Sequence, residues 1–112
     1  MDSQQVEART RRLARAVRWE GAPDGAWRYM GIAHGFLEAE VQARIEAFLP
    51  GERILLVMGR RDAAEVPASC AARIVRELLM VREVSLWDPA LTRTMQFSRL
   101  GIYRVGLVEA GR

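Results

Sequence analysis

The chain has 112 residues, a formal net charge of +3 and enough hydrophobic residues for one core, so its length fits one domain and leaves no room for two. All 17 residues counted as basic are arginine, and 14 acids nearly balance them, which argues against a strongly basic nucleic-acid-binding protein. The single cysteine, Cys70, excludes an intrachain disulfide and is typical of a reducing compartment.

Hydrophobic periodicity predicts seven elements in the order α-α-β-α-β-β-β. In chain order they are helices over 4–18 and 36–48, a strand over 53–58, a helix over 67–80, and strands over 83–88, 94–98 and 102–108. The helices carry apolar residues at three- and four-residue spacing, whereas the strands are short apolar or alternating runs. Segment 26–34 fits either a short strand or the lead-in to the second helix.

The connections between these elements predict how the strands pair. A helix over 67–80 between two strands indicates a β-α-β crossover, in which the strands 53–58 and 83–88 lie parallel. The last two strands flank Leu100-Gly101 and indicate a hairpin. We therefore expect one α/β (α+β) domain over 1–112, with a mixed sheet of about four strands and helices packed on it.

The sequence lacks a complete set of catalytic or metal-binding residues. Nucleophilic catalysis needs a nucleophile, a base and an orienting group, and His34 and Cys70 are the only candidates of their types. A Mg²⁺ site built from Asp62, Glu65 and Asp88 requires their loops to meet at one sheet edge, and solvated loop acids are the simpler interpretation. We expect no enzymatic activity, no metal and no cofactor.

Aromatic residues and arginines are enriched at protein interfaces, and the second half of the chain offers several of them. The candidate partner-binding residues are Arg60, Arg61, Asp62, Glu65, Trp87, Asp88, Arg99, Tyr103 and Arg104. Strand alternation is compatible with two placements of Trp87 and Tyr103, either on an outward face or in a core beneath the helices. The alternative partner is a nucleic acid, bound through the arginines of residues 9–18.

Four stretches follow one another in the order strand, helix, strand and hairpin. They are Ile54–Met58, Arg76–Leu79, Glu83–Asp88 and Tyr103–Val108. In this pattern the part of the chain from Arg53 to Gly111 resembles the small immunity proteins of bacterial contact-dependent inhibition and related polymorphic toxin systems. The resemblance implies a non-enzymatic protein that binds and neutralises one toxin domain, often a nuclease, in a tight one-to-one contact.

The distribution of apolar residues also bears on location. The polar start, residues 1–5, has no apolar stretch typical of a secretory signal, and the longest apolar run, Ile54–Met58, is far shorter than the ~20 residues that span a bilayer. We expect a cytoplasmic protein with no membrane partner and no small-molecule ligand.

Overall fold

The computed structural model describes residues 2–21, 26–59 and 62–109. Within these ranges the helices are α1 (Ser3–Leu13), α2 (Glu38–Phe48) and α3 (Ala71–Leu78). The strands are β1 (Val17–Trp19), β2 (Arg28–Tyr29), β3 (Arg53–Gly59), β4 (Asp62–Pro67), β5 (Val84–Trp87), β6 (Arg93–Ser98) and β7 (Ile102–Val108). Single 3₁₀ turns lie at Ala14–Ala16, Ala33–Gly35 and Ala68–Cys70. The predicted α+β class and the packing of helices on a sheet are confirmed.

The strands form a single sheet in the order β1-β7-β6-β5-β3-β4. β2 also pairs with β7, so β1 and β2 lie end to end along the β7 edge that β6 leaves open. Every strand pair in the described ranges is antiparallel. The predicted hairpin around Leu100-Gly101 is confirmed as β6 and β7.

The predicted parallel crossover and the mixed sheet of about four strands are wrong. β3 and β5 are antiparallel neighbours, because β4 reverses the chain before α3 begins. β4 and β5 therefore run in the same direction, with β3 between them, and α3 crosses over β3 to join them. The strand count was too low because β1, β2 and β4 lie in segments that the sequence assigned to a helix, an ambiguous stretch and a loop.

The first helix is shorter than its apolar stripe suggested. Asp2 caps it in a reciprocal capping box, in which the Asp2 carboxylate accepts from the Gln5 backbone N–H at 2.8 Å and the Gln5 side chain accepts from the Asp2 N–H at 3.0 Å. The helix ends at Leu13, and after one 3₁₀ turn the chain becomes β1. Val17 and Trp19 favour extended backbone, and pairing with β7 overrides helix propensity there.

The main core lies between one face of the sheet and helices α2 and α3. Successive strand side chains alternate between faces, so Leu56, Leu86, Met95 and Val105, which are paired across four strands, form a buried row on this face. The helices cover this row with buried residues that include Val41, Ile45, Val75 and Leu79.

Helix α1 packs on the opposite face of the sheet, against β3 and β4. Val6, Glu7 and Thr10 are its buried residues, and the Ala63 backbone N–H donates to the Ser3 hydroxyl at 3.0 Å. The molecule therefore has three layers, with α2 and α3 on one side of the sheet and α1 on the other. We call the side that carries α1 the tryptophan face, because the side chains of Trp19 and Trp87 lie on it.

Candidate functional site

Among the residues predicted to bind a partner, those that the structure describes do not form one surface. Arg60 and Arg61 lie outside the described residues. Asp62 begins β4 and pairs with Arg82 at 3.1 Å, where both side chains are exposed. Glu65 pairs with Arg53 on the neighbouring strand β3. These two carboxylates therefore already have basic partners within the protein.

Three other predicted residues are buried and pack inside the fold. Asp88 closes the turn between β5 and β6, where its carboxylate accepts from the backbone N–H groups of Thr92 and Arg93 at 2.7 and 2.8 Å. Tyr103 stacks on Phe97 with ring centroids 5.9 Å apart. The Trp87 indole N–H donates to the Ser85 hydroxyl at 3.1 Å. Their burial leaves these three side chains with little surface for direct contact with a partner.

Arg104 lies on the tryptophan face and contacts two indole rings. Its guanidinium carbon is 3.8 Å from the ring centroid of Trp19 and 4.5 Å from that of Trp27, which places both rings within cation–π range. Its Nε donates to the Gln96 side-chain oxygen at 2.7 Å. Desolvation by burial lowers the pKa of Arg104, although an arginine stays protonated in proteins. The two rings and Gln96 hold this guanidinium in a fixed position.

A cavity of about 280 Å³ lies between α1 and the tryptophan face. Its lining residues are Glu7, Thr10, Arg11, Ala14, Val17, Trp19, Val57, Gly59, Ser85, Trp87, Thr94 and Gln96. Apolar side chains and indole rings dominate this lining. Glu7 is only 5% exposed, and its carboxylate is 3.6 Å from the Arg11 guanidinium one helical turn away.

An exposed apolar surface lies at the end of the molecule where the β6–β7 turn meets the last turn of α3. We call it the terminal patch; its members are Ile32, Met80, Val81 and Leu100. Leu100 and Met80 are 82% and 75% exposed. A hollow of about 220 Å³ between Ile32 and Met80 includes Arg76 and Arg99 in its lining.

Arg99 is the predicted residue that lies beside the terminal patch, in the lining of this hollow. Its guanidinium donates to the backbone carbonyls of Leu79 and Met80, each at 3.3 Å, which ties the β6–β7 turn to α3. In the part of the chain that the structure describes, no carboxylate forms an ion pair with this guanidinium. Arg99 thus presents positive charge beside exposed apolar side chains.

The residues with catalytic or metal-binding chemistry are dispersed. His34 is exposed in a 3₁₀ turn, and the half-buried Cys70 thiol has the Pro67 carbonyl as its hydrogen-bond partner at 3.7 Å. Among residues 2–21, 26–59 and 62–109, no group of three or more His, Cys, Asp or Glu side chains is placed to hold a metal ion.

The sequence reasoning missed most of the tryptophan face. Trp19 was assigned to no element, Trp27 to an ambiguous segment, and Glu7 to the first helix without a role. A signal for one contact was present, since a hairpin around Leu100-Gly101 places Gln96 opposite Arg104. The approach of Trp27 to Arg104 depends on the path of the chain after β1, which no local pattern specifies.

Comparison with protein-family models, with curated proteins and with solved structures found no match to this chain. No helix in the described ranges is long and apolar enough to cross a bilayer. Function is therefore inferred from the geometry of the terminal patch and the tryptophan face.

Proposed function

We propose that the protein is a cytoplasmic, non-enzymatic, immunity-type protein that neutralises a bacterial toxin domain by a tight one-to-one contact through the terminal patch. The observation that carries this proposal is the Arg99 guanidinium, which two backbone carbonyls hold and which forms no ion pair within the described residues, beside the highly exposed Leu100. Apolar anchors next to arginine are the composition of energetically important interface centres.

The geometry also supports a particular chemistry for the partner surface. Two backbone carbonyls orient the Arg99 guanidinium, so little side-chain entropy remains to be lost on binding. A partner carboxylate would pair with it, and an apolar pocket would accept Leu100. Glu38 neutralises Arg76 at 3.5 Å, which leaves Arg99 as the main source of charge complementarity in the hollow.

The test uses the toxin domain encoded beside this protein's gene. We expect the two purified proteins to form a stable one-to-one complex, and Leu100→Asp to weaken it about thirtyfold or more, as loss of an interface hot spot does. Leu107→Asp is the matched control, because Leu107 is also exposed and lies about 20 Å along β7 from the patch. Titration calorimetry and protection of growth against the toxin are the measurements.

Absence of both complex and protection would overturn the proposal, and equal loss of binding in the two leucine variants would overturn the assignment to the terminal patch.

A second candidate function is favoured by one observation: Arg9, Arg11, Arg12, Arg15 and Arg18 are all exposed. Binding to DNA or RNA that weakens steeply with salt, without toxin binding, would support that nucleic-acid-associated function instead.

A further inference from the structure

The cavity beneath α1 is independent of the terminal patch and has the features of a small-molecule site. Its volume of about 280 Å³ is just below the ~300–1,000 Å³ typical of ligand pockets. The half-buried Trp19 supplies a flat apolar surface within a lining that also holds several polar groups. Such a cavity fits a compact molecule of one or two rings.

The first polar group with a fixed direction is the Gln96 side chain. Arg104 has donors and no acceptor, so the amide atom that faces it must be the Gln96 oxygen. The NH₂ of the Gln96 amide is then the atom group that does not face Arg104, and it donates no hydrogen bond to any residue within the described ranges. Because Gln96 lines the cavity, these N–H donors are available to a ligand.

The hydrogen-bond role of the Ser85 hydroxyl follows from the same argument. An indole N–H can only donate, so the Ser85 oxygen is the acceptor of the bond from Trp87, and its hydroxyl proton is free to donate elsewhere. Ser85 and Gln96 are direct partners across β5 and β6, a register that puts their Cβ atoms about 5 Å apart. Two donors therefore lie side by side on the tryptophan face.

Glu7 supplies a hydrogen-bond acceptor from the α1 side of the cavity. Its carboxylate is almost fully buried, offers hydrogen-bond acceptors and no donor, and forms an ion pair with Arg11 at 3.6 Å. A molecule that spans the cavity would thus meet donors on the sheet and an acceptor on the helix.

We infer that this cavity binds a flat heteroaromatic molecule of one or two rings that carries a ring carbonyl on one edge and a ring N–H on the opposite edge. The rings would pack against Trp19, the carbonyl would accept from Gln96 and Ser85, and the N–H would donate to Glu7. This assignment departs from the expectation that the chain has no small-molecule ligand, and it does not depend on the proposed toxin binding.

The test uses quinolin-4(1H)-one as the probe, because its carbonyl and N–H lie at opposite edges of one ring, with quinoline, a ring of similar shape without the carbonyl, as its control. In ¹⁵N-labelled protein each of the three tryptophans contributes one indole N–H signal. We expect the probe to shift the Trp87 indole and Gln96 amide signals saturably, and quinoline to bind about tenfold more weakly. No shift up to the solubility limit, or equal binding of both compounds, would overturn the inference.

Two variants locate the site. Gln96→Glu keeps an acceptor for Arg104 but replaces the NH₂ group with an oxygen that repels the carbonyl of the probe. Its control is Gln4→Glu, which adds the same charge at an exposed position of α1. We expect the probe to bind Gln96→Glu about tenfold more weakly than Gln4→Glu. Ala14→Leu should obstruct the cavity mouth, whereas Ala47→Leu, at an exposed position of α2, should bind normally. Unchanged affinity in both site variants would overturn the assignment.

Discussion

Gly106 lies on β7 opposite Trp19 of β1, where the absence of a side chain makes room for neighbouring groups. A Cβ added at this glycine would be 2.4 Å from the Val17 Cγ1 and 2.9 Å from the Trp19 Cε3. The backbone here has an ordinary negative φ, so the requirement for glycine is one of space. We expect Gly106→Ala to lower the free energy of unfolding by about 1–3 kcal/mol, measured by urea denaturation.

Gly35→Ala is the matched control for this substitution. A Cβ at Gly35 meets nothing within 4 Å, and its φ also lies outside the left-handed region, so the added methyl group should change stability by no more than about 0.5 kcal/mol. Equal effects of the two substitutions would show that close packing of β1 on Gly106 does not contribute to stability.

At the scale of elements, the capping box makes α1 a well-defined cover over β3 and β4. Asp2→Ala removes the carboxylate that accepts from the Gln5 N–H, and we expect a loss of about 1 kcal/mol with faster amide hydrogen exchange in the first turn of α1. Gln4→Ala, at an exposed position outside the capping box, is the control and should leave exchange unchanged. Unaltered exchange in Asp2→Ala would contradict a stabilising role for the cap.

The elements also show what local pattern can and cannot predict. Helix α2 and the β6–β7 hairpin were predicted because apolar spacing and turn residues are local signals. β4 was missed because its sequence, with Ala63, Ala64 and Pro67, has weak strand propensity and depends on pairing with β3. That one omission reversed the predicted direction of β5 relative to β3.

The candidate sites were harder to predict than the elements. Arg99 was identified, although the sequence did not reveal that carbonyls at the end of α3 fix its position. The cavity is formed by α1 and four strands that are distant in sequence, and its polar groups are oriented by contacts between them. Such a site depends on the topology of the whole sheet, which the sequence pattern gave incorrectly.

Across the whole molecule, charge and apolar burial have separate roles. The ion pairs that join described residues are exposed, with side chains between 32% and 55% exposed, except for the pair of Glu7 with Arg11. Exposed pairs of this kind contribute about 0–1 kcal/mol each and are screened by salt. The fold instead rests on the continuous core between the sheet and helices α2 and α3.

Folding stability should therefore respond weakly to salt and strongly to core volume. Raising the ionic strength from about 0.01 M to about 1 M shortens the Debye length from about 30 Å to about 3 Å, and we expect the free energy of unfolding to change by no more than about 1 kcal/mol. Leu86→Ala, which empties a fully buried position, should cost about 2–5 kcal/mol at either salt concentration. Urea denaturation of both proteins at the two salt concentrations measures this, and a salt effect as large as that of the core substitution would contradict it.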